Sequence, residues 1–236
     1  MKMQSIDKKG NKKYKWQMSE SIIVGILLAF SGGYMDAYTY IFRDHVFANA
    51  QTGNIILLGI HIFDGNYVES VRYLFPIMSF TAGVFIAQML CLNFKNCKKP
   101  HWRQLSVIIE IIIMTAVTFM NSSMNLLANS MISLACGIQV QSFRKIHNNS
   151  LATTMCIGNL RTATDLLCSS VYKKDKSLLY KSFFYYGFIF VFTLGAVLGK
   201  HWVSILGQKA ILVSAVILCI VFVCMFIEEE EFKKRK

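Results

Sequence analysis

The stretch "FANAQTGNIILLGIHIFDGN", residues 47–66, sets a cluster of polar residues directly in front of an apolar run. The run extends from Ile55 to Phe63, which is about half of the roughly 17–25 residues that a transmembrane helix needs. Non-helical backbone at membrane depth is tolerated only where protein or water surrounds it. The stretch therefore predicts a short helix that begins inside a larger membrane domain.

The composition supports a membrane domain of this kind. The chain has 236 residues, of which 54% are hydrophobic and only 16% are charged, whereas soluble domains carry about 25% charged residues. The charges crowd into short segments between long apolar runs, which is typical of an all-α protein with several membrane-spanning helices. We expect one membrane domain at 19–227, a basic cytoplasmic segment at 1–18 and a charged cytoplasmic tail at 228–236.

Six apolar runs are long enough to cross a bilayer, and two shorter stretches are not. The six predicted spans are Ser21–Ile41, Val71–Phe94, Leu105–Met120, Met124–Phe143, Ser182–Gly199 and Ala210–Ile227. The short stretches are 50–63 and Met155–Val171. With the basic N-terminus inside, the basic loop Lys95–Arg103 also lies inside only if 50–63 enters the membrane and returns. Six full spans plus two re-entrant helices are therefore favoured; eight full spans are the alternative, and both place the two termini in the cytoplasm.

The two short stretches belong to an internal repeat with an offset of 105 residues. The matching positions are Gly53-Asn54 with Gly158-Asn159, Gly32 with Gly137, Asp36 with Gln141, and Ala48-Asn49 with Thr153-Thr154. We expect repeat halves at about 21–94 and 124–199, with the spans 105–120 and 210–227 outside the repeat. In the six-span arrangement the two halves are inverted.

Inverted repeats with broken helices are a recurrent plan of secondary transporters, whose site lies near the midplane where the half-helices begin. A helix N-terminus leaves backbone N–H groups unpaired and carries partial positive charge. We expect Thr52, Asn54, Thr154 and Asn159 to cap these ends, and a small polar or anionic solute to bind there. The predicted substrate-binding residues are Asp36, Asn49, Gln51, Thr52, Gly53, Asn54, Gln139, Gln141, Thr153, Thr154, Gly158 and Asn159. The alternative is that the polar residues only cap a short helix at the membrane surface.

Ionisable residues within apolar runs are candidates for function because they are costly to insert into a membrane. Asp36 and Glu110 are predicted coupling or gating groups. The alternatives are a structural hydrogen bond for Asp36 and a pairing of Glu110 with a basic residue of the inner loop. Arg161 and Asp165 are spaced to form a local ion pair, or Arg161 contacts an anion.

Several other classes of function are not expected. The net charge of +12 is explained by basic cytoplasmic loops, so no nucleic-acid partner is predicted. No CxxC, HExxH, P-loop or GxSxG motif is present, which argues against a metal site, a cofactor and an enzyme. The alternative to a transporter or channel is a membrane scaffold or accessory subunit. A homodimer that packs through Gly32, Gly33 and Gly83 is a further expectation.

The motif "GGYMDA" at 32–37, followed by "TGN" at 52–54, resembles the opening signature of the YoaK-like family, also called domain of unknown function 1275. The segments at 137–139 and 153–158 resemble two later elements of that family. Val140-Gln141 and Ile157 depart from its pattern. The resemblance implies a bacterial inner-membrane protein with several spans and no assigned substrate.

Overall fold

A computed structural model describes residues 3–6, 12–15, 21–94, 102–146 and 149–234 of the chain. The fold is mainly α-helical, as predicted. The helices are α1 (Ile22–Phe42), α2 (Gln51–Phe63), α3 (Tyr67–Phe94), α4 (Trp102–Val117), α5 (Asn125–Ser142), α6 (Cys156–Lys173), α7 (Lys176–Leu206) and α8 (Leu212–Lys234), with 3-10 turns at Ser122–Met124 and Gly207–Ile211. Most of the predicted basic segment 1–18 and most of the inner loop Lys95–Arg103 lie outside the described residues.

Two short antiparallel hairpins accompany the helices, and neither was predicted. Strand β1 (Met3–Ile6) pairs with β2 (Lys12–Lys15) within the basic N-terminal segment. Strand β3 (Lys145–Ile146) pairs with β4 (Asn149–Ser150) between α5 and α6. The second hairpin turns the chain back toward the interior after α5.

Three segments are long and apolar enough to cross a membrane, namely Ile22–Phe42, Tyr67–Phe94 and Lys176–Met225. The last segment joins α7 to most of α8, so four of the six predicted spans fall within the three segments. The predicted spans Leu105–Met120 and Met124–Phe143 are not among the segments that are long and apolar enough. Helix α4 has only 16 residues, and α5 carries four amide side chains that lower its apolar character.

Helices α1 and α7 cross at a contact between their backbones. A Cβ atom at Gly33 would overlap the carbonyl oxygen of Phe192, and one at Gly195 would overlap that of Phe30. Only glycine permits so close an approach. Further along both helices, Gly199 lies against Ala37, so the contacting residue numbers rise together and the two helices are parallel.

Helices α3 and α5 cross in the same way. A Cβ atom at Gly83 would overlap the carbonyl oxygen of Leu134, and one at Gly137 would overlap that of Phe80. In both crossings, each glycine lies over the carbonyl of the residue three positions before the partner glycine. Because Gly33 and Gly83 are used inside the chain, the predicted dimer contact through these glycines is wrong. Gly32 is likewise covered from within the chain.

The direction of the helices follows from side-chain contacts between α1 and α5. The Gln139 amide donates to the carbonyl of Leu28 at 3.2 Å, whereas Arg43, just beyond α1, donates to the Asn125 side chain at the start of α5. The two helices are therefore antiparallel. Because α3 runs parallel to α5, as the Gln88–Gln141 contact also shows, α3 opposes α1. Helix α2 therefore ends on the side where α1 ends and α3 begins.

Helices α4 and α8 pack against each other. Helix α4 also packs on α5, and α8 packs on α1. Together these four helices enclose the larger apolar cluster, whose fully buried members include Leu28, Met114, Ile132 and Leu218. The interior of the protein thus lies between the two glycine crossings and the α4–α8 pair.

We predict that Gly33→Ala destabilises the protein by about 2 kcal/mol or more, because the new methyl group must push α7 away from α1. The matched control is Gly187→Ala, since an added Cβ at Gly187 meets nothing within 4 Å. In an exposed helix position this control should be neutral or stabilising by up to about 1 kcal/mol. Thermal unfolding of the purified protein in detergent measures both changes. Equal effects of the two substitutions would contradict the close crossing.

Candidate functional site

The chain turns back into the protein after α1 ends. The turn follows Phe42 and includes Asp44 and His45, which both have positive φ. The backbone then reaches the middle of α1, where the side-chain amide of Asn49 donates to the carbonyl of Gly32 at 3.1 Å. Helix α2 consequently begins beside the middle of α1 and not beyond its end.

Asn54 stabilises the loop between α1 and α2. Its side chain accepts a hydrogen bond from the backbone N–H of Phe47 at 3.2 Å and donates to the carbonyl of the same residue at 2.7 Å. It also donates to the Gln51 side chain, which itself donates to the carbonyl of Ala48. The polar residues in front of the short apolar run thus satisfy the backbone of a loop that leaves helical geometry.

A second loop, between β4 and α6, is held in the same way. The Asn159 side chain donates to the carbonyl of Ala152 at 2.7 Å, and this bond spans seven residues, as does the bond from Asn54 to Phe47. At the tip of the loop, a Cβ atom at Gly32 would lie 3.0 Å from Cγ2 of Thr154. Both loops therefore meet at Gly32, in the middle of α1.

The N-terminus of α2 is stabilised by a carboxylate from another helix. Asp36 accepts a hydrogen bond from the backbone N–H of Asn49 at 2.7 Å, two residues before the first residue of α2. Asp36 and Asn49 are both buried. At the matching position on α5, Gln141 donates to Gln88 of α3.

The predicted capping of the two short helices by their own side chains is wrong. The N-cap residues are Ala50 and Met155, and neither forms a side-chain cap hydrogen bond. Thr52 is exposed, and Asn54 and Asn159 bond back to carbonyl groups as described above. Thr154 is buried, but its hydroxyl has no hydrogen-bond partner. The sequence pattern identified the helix starts correctly and their partners incorrectly.

Several buried side-chain oxygen atoms of the protein interior have no hydrogen-bond partner, although such groups are costly to bury. At the meeting point of the loops these are Asn49 Oδ1, Thr153 Oγ1 and Thr154 Oγ1. The others are Ser31, Glu110, Asn129, Ser133, Gln139 and Ser214. Every atom of this set is an oxygen, so the set offers hydrogen-bond acceptors and hydroxyl groups to a ligand.

Glu110 belongs to this set because neither of its carboxylate oxygens has a hydrogen-bond partner. It lies on α4 and is only 1% exposed. Most of the inner loop proposed as its partner lies outside the described residues. The neighbours of Glu110 on α4, Val107 and Met114, belong to the same buried apolar cluster as Cys136 of α5, so Glu110 lies on the helix that packs on α5.

Not all of the predicted site residues lie at the meeting point. Gly158 is exposed with no neighbour near its Cα, and Gly53 lies against the Phe47 ring. Arg161 and Asp165 are exposed on α6. They form no ion pair with each other, although both lie in the described part of the chain, so the predicted local pairing is wrong.

Arg43 is a structural residue that the sequence reasoning missed. Its guanidinium is fully buried and donates to the side chains of Tyr38 and Asn125 and to carbonyl groups that follow α4 or lie at its end. It thereby joins the ends of α1 and α4 to the start of α5. A basic residue directly after an apolar span is the only sequence signal of this role, and it also fits a residue at the membrane surface.

Comparisons with known proteins give a family and one relative. Residues 24–224 match the family described as "Protein of unknown function (DUF1275)". The chain is also 25% identical over 155 residues to the UPF0700 transmembrane protein YoaK of Bacillus subtilis (strain 168), a match that covers 64% of this chain and 69% of that protein. No solved structure matches the chain.

We predict that Asn54→Ala destabilises the protein by about 2 kcal/mol or more, because it leaves the N–H and carbonyl of Phe47 without partners. Asn159→Ala removes one bond and should cost about 1 kcal/mol. The matched control is Asn66→Ala, an exposed position with one bond to the backbone of Glu69. Thermal unfolding ranks the three variants. If Asn54→Ala is as mild as Asn66→Ala, Asn54 does not hold the loop.

Proposed function

The chain belongs to the DUF1275 family of proteins of unknown function, and we propose that this membrane protein is a secondary transporter or channel for a small polar solute. The match confirms the YoaK-like resemblance of the sequence motifs. The observation that carries the proposal is the meeting of two re-entrant loops at Gly32. It leaves buried, unpartnered oxygen atoms beside the starts of two short helices.

The proposed architecture is an inverted repeat of two four-helix units, α1–α4 and α5–α8. Three equivalences support it. The α1–α7 and α3–α5 crossings share one glycine geometry, the loops before α2 and α6 are closed by matching asparagine bonds, and α4 contacts α5 as α8 contacts α1. These contacts favour including the fourth and eighth helices, which the sequence pattern left outside the repeat.

The proposed membrane arrangement has six full spans, with α2 and α6 as re-entrant helices and both termini in the cytoplasm. The antiparallel arrangement of α1 and α5 supports inversion of the two units. In this arrangement α2 enters from the outer side and α6 from the cytoplasmic side of a bacterial inner membrane. The site then lies near the midplane, where transporters with inverted repeats bind their substrates.

The chemistry of the site favours a solute that donates hydrogen bonds. Its free groups are the amide oxygen of Asn49 and the hydroxyls of Thr153 and Thr154. The Asp36 carboxyl group already accepts from the backbone N–H of Asn49, so that N–H is not free to bind an anion. A neutral or cationic polar solute therefore fits better than an anionic one. Asp36 and Glu110 are the proposed coupling or gating groups, because both are buried carboxyl groups and Asp36 contacts Asn49 at the site.

The proposal is tested with purified protein in liposomes, by stopped-flow light scattering after an osmotic step. The probes are glycerol and urea as neutral solutes, methylammonium as a cation and lactate as an anion. We expect a permeability above that of protein-free liposomes for a neutral or cationic probe. Thr154→Val should lower it about fivefold, which is the effect of one lost hydrogen bond of about 1 kcal/mol.

The matched control is Thr193→Val on α7, whose hydroxyl is exposed and bonds only within its own helix. This variant should leave the permeability unchanged. A preference for lactate would contradict the proposed solute class. If every probe permeates no faster than through protein-free liposomes, the proposal fails and the scaffold or accessory-subunit alternative is favoured.

A further inference from the structure

The outer face of α6 differs in chemistry from the matching face of α2. With the 105-residue offset, Arg161 and Asp165 correspond to Ile56 and Ile60. The two isoleucines are 57% and 50% exposed, as expected for side chains that face lipid. Arg161 and Asp165 are equally on the surface, but their charged groups do not suit a lipid-facing position.

The inference rests on the proposed membrane arrangement, in which Arg161 and Asp165 lie deep in the membrane. At that depth, exposure of their charged groups to lipid is costly. Helix α6 starts near the midplane at Cys156, so Arg161 lies about 7 Å and Asp165 about 13 Å from it, at 1.5 Å per residue. Both distances are within the roughly 15 Å half-thickness of the hydrocarbon core. Charged residues at such depth usually pair with one another or face a protein interior.

The chain itself supplies no such pairing. Arg161 and Asp165 are one helical turn apart, but within the described residues their side chains form no ion pair. This face of α6 is an open surface, and no residue of another helix borders the space beside it in the described part of the chain. At Gly158, near the start of α6, an added Cβ would meet nothing within 4 Å.

We infer that this face of α6 is the interface between two copies of the chain. A twofold axis along the membrane normal sets two α6 helices side by side, and the charges are then self-complementary. Arg161 of each copy pairs with Asp165 of the other, so two ion pairs form from one surface. The open space at Gly158 leaves room for the side chains of the second copy.

The test is the oligomeric state of dye-labelled protein in lipid nanodiscs or dilute vesicles, counted by single-molecule photobleaching. The wild type should be a dimer. Arg161→Asp and Asp165→Arg should each lower the dimer fraction at least tenfold, because each places like charges opposite one another. The double variant Arg161→Asp with Asp165→Arg should restore the dimer, since the two pairs form again with reversed polarity.

The matched control is Arg72→Asp, which breaks the half-buried ion pair with Glu69 at the start of α3 and should leave the dimer intact. A monomeric wild type, single variants that remain dimeric, or a double variant that does not recover would each overturn the interface. If the single variants instead lower solute permeability and leave the dimer unchanged, this face of α6 borders the path of the solute and is not an interface. Because the readout is a count of copies, failure here is distinguishable from failure of the transport proposal.

Discussion

Backbone groups that leave helical geometry inside a membrane need partners within the protein, and this requirement governs the structure around Gly32. Asp36 of α1 accepts from the backbone N–H of Asn49, and the Asn49 side chain donates back to Gly32. Asn54 and Asn159 close the two loops by the same seven-residue bond. These polar side chains stabilise the two loops that place the starts of both short helices beside the middle of α1.

The two glycine crossings bring the loops to one place. Because α7 lies on α1 through Gly33 and α5 lies on α3 through Gly137, the first helix of each unit packs on the third helix of the other. In the proposed inverted repeat, the two units share these crossings but carry different polar residues. The first unit carries Asp36 at its short helix, and the second carries Arg161 on the outer face of α6. These differences underlie the proposed interior site and the proposed dimer surface.

The positions of the helices can be predicted from local sequence, because apolar runs and the polar residues between them set where helices start and end. The first short helix was expected at 50–63 and is Gln51–Phe63; the second was expected at Met155–Val171 and is Cys156–Lys173. The roles of individual residues depend on contacts distant in sequence, and these were not predicted. The partner of the α2 N-terminus comes from α1, the contacts of Arg43 come from α4 and α5, and the glycines proposed for a dimer are used within the chain.

The central claim is that the two short helices enter the membrane from opposite sides. It is tested most directly by labelling Asn66→Cys and Lys174→Cys, in a background without the native cysteines, with a membrane-impermeant maleimide on intact cells. Both positions are exposed, one after each short helix. The account predicts that Asn66→Cys is labelled from outside and that Lys174→Cys is labelled only after the membrane is opened. Both cysteines on the same side would mean that the short helices cross fully, and this would contradict the inverted arrangement.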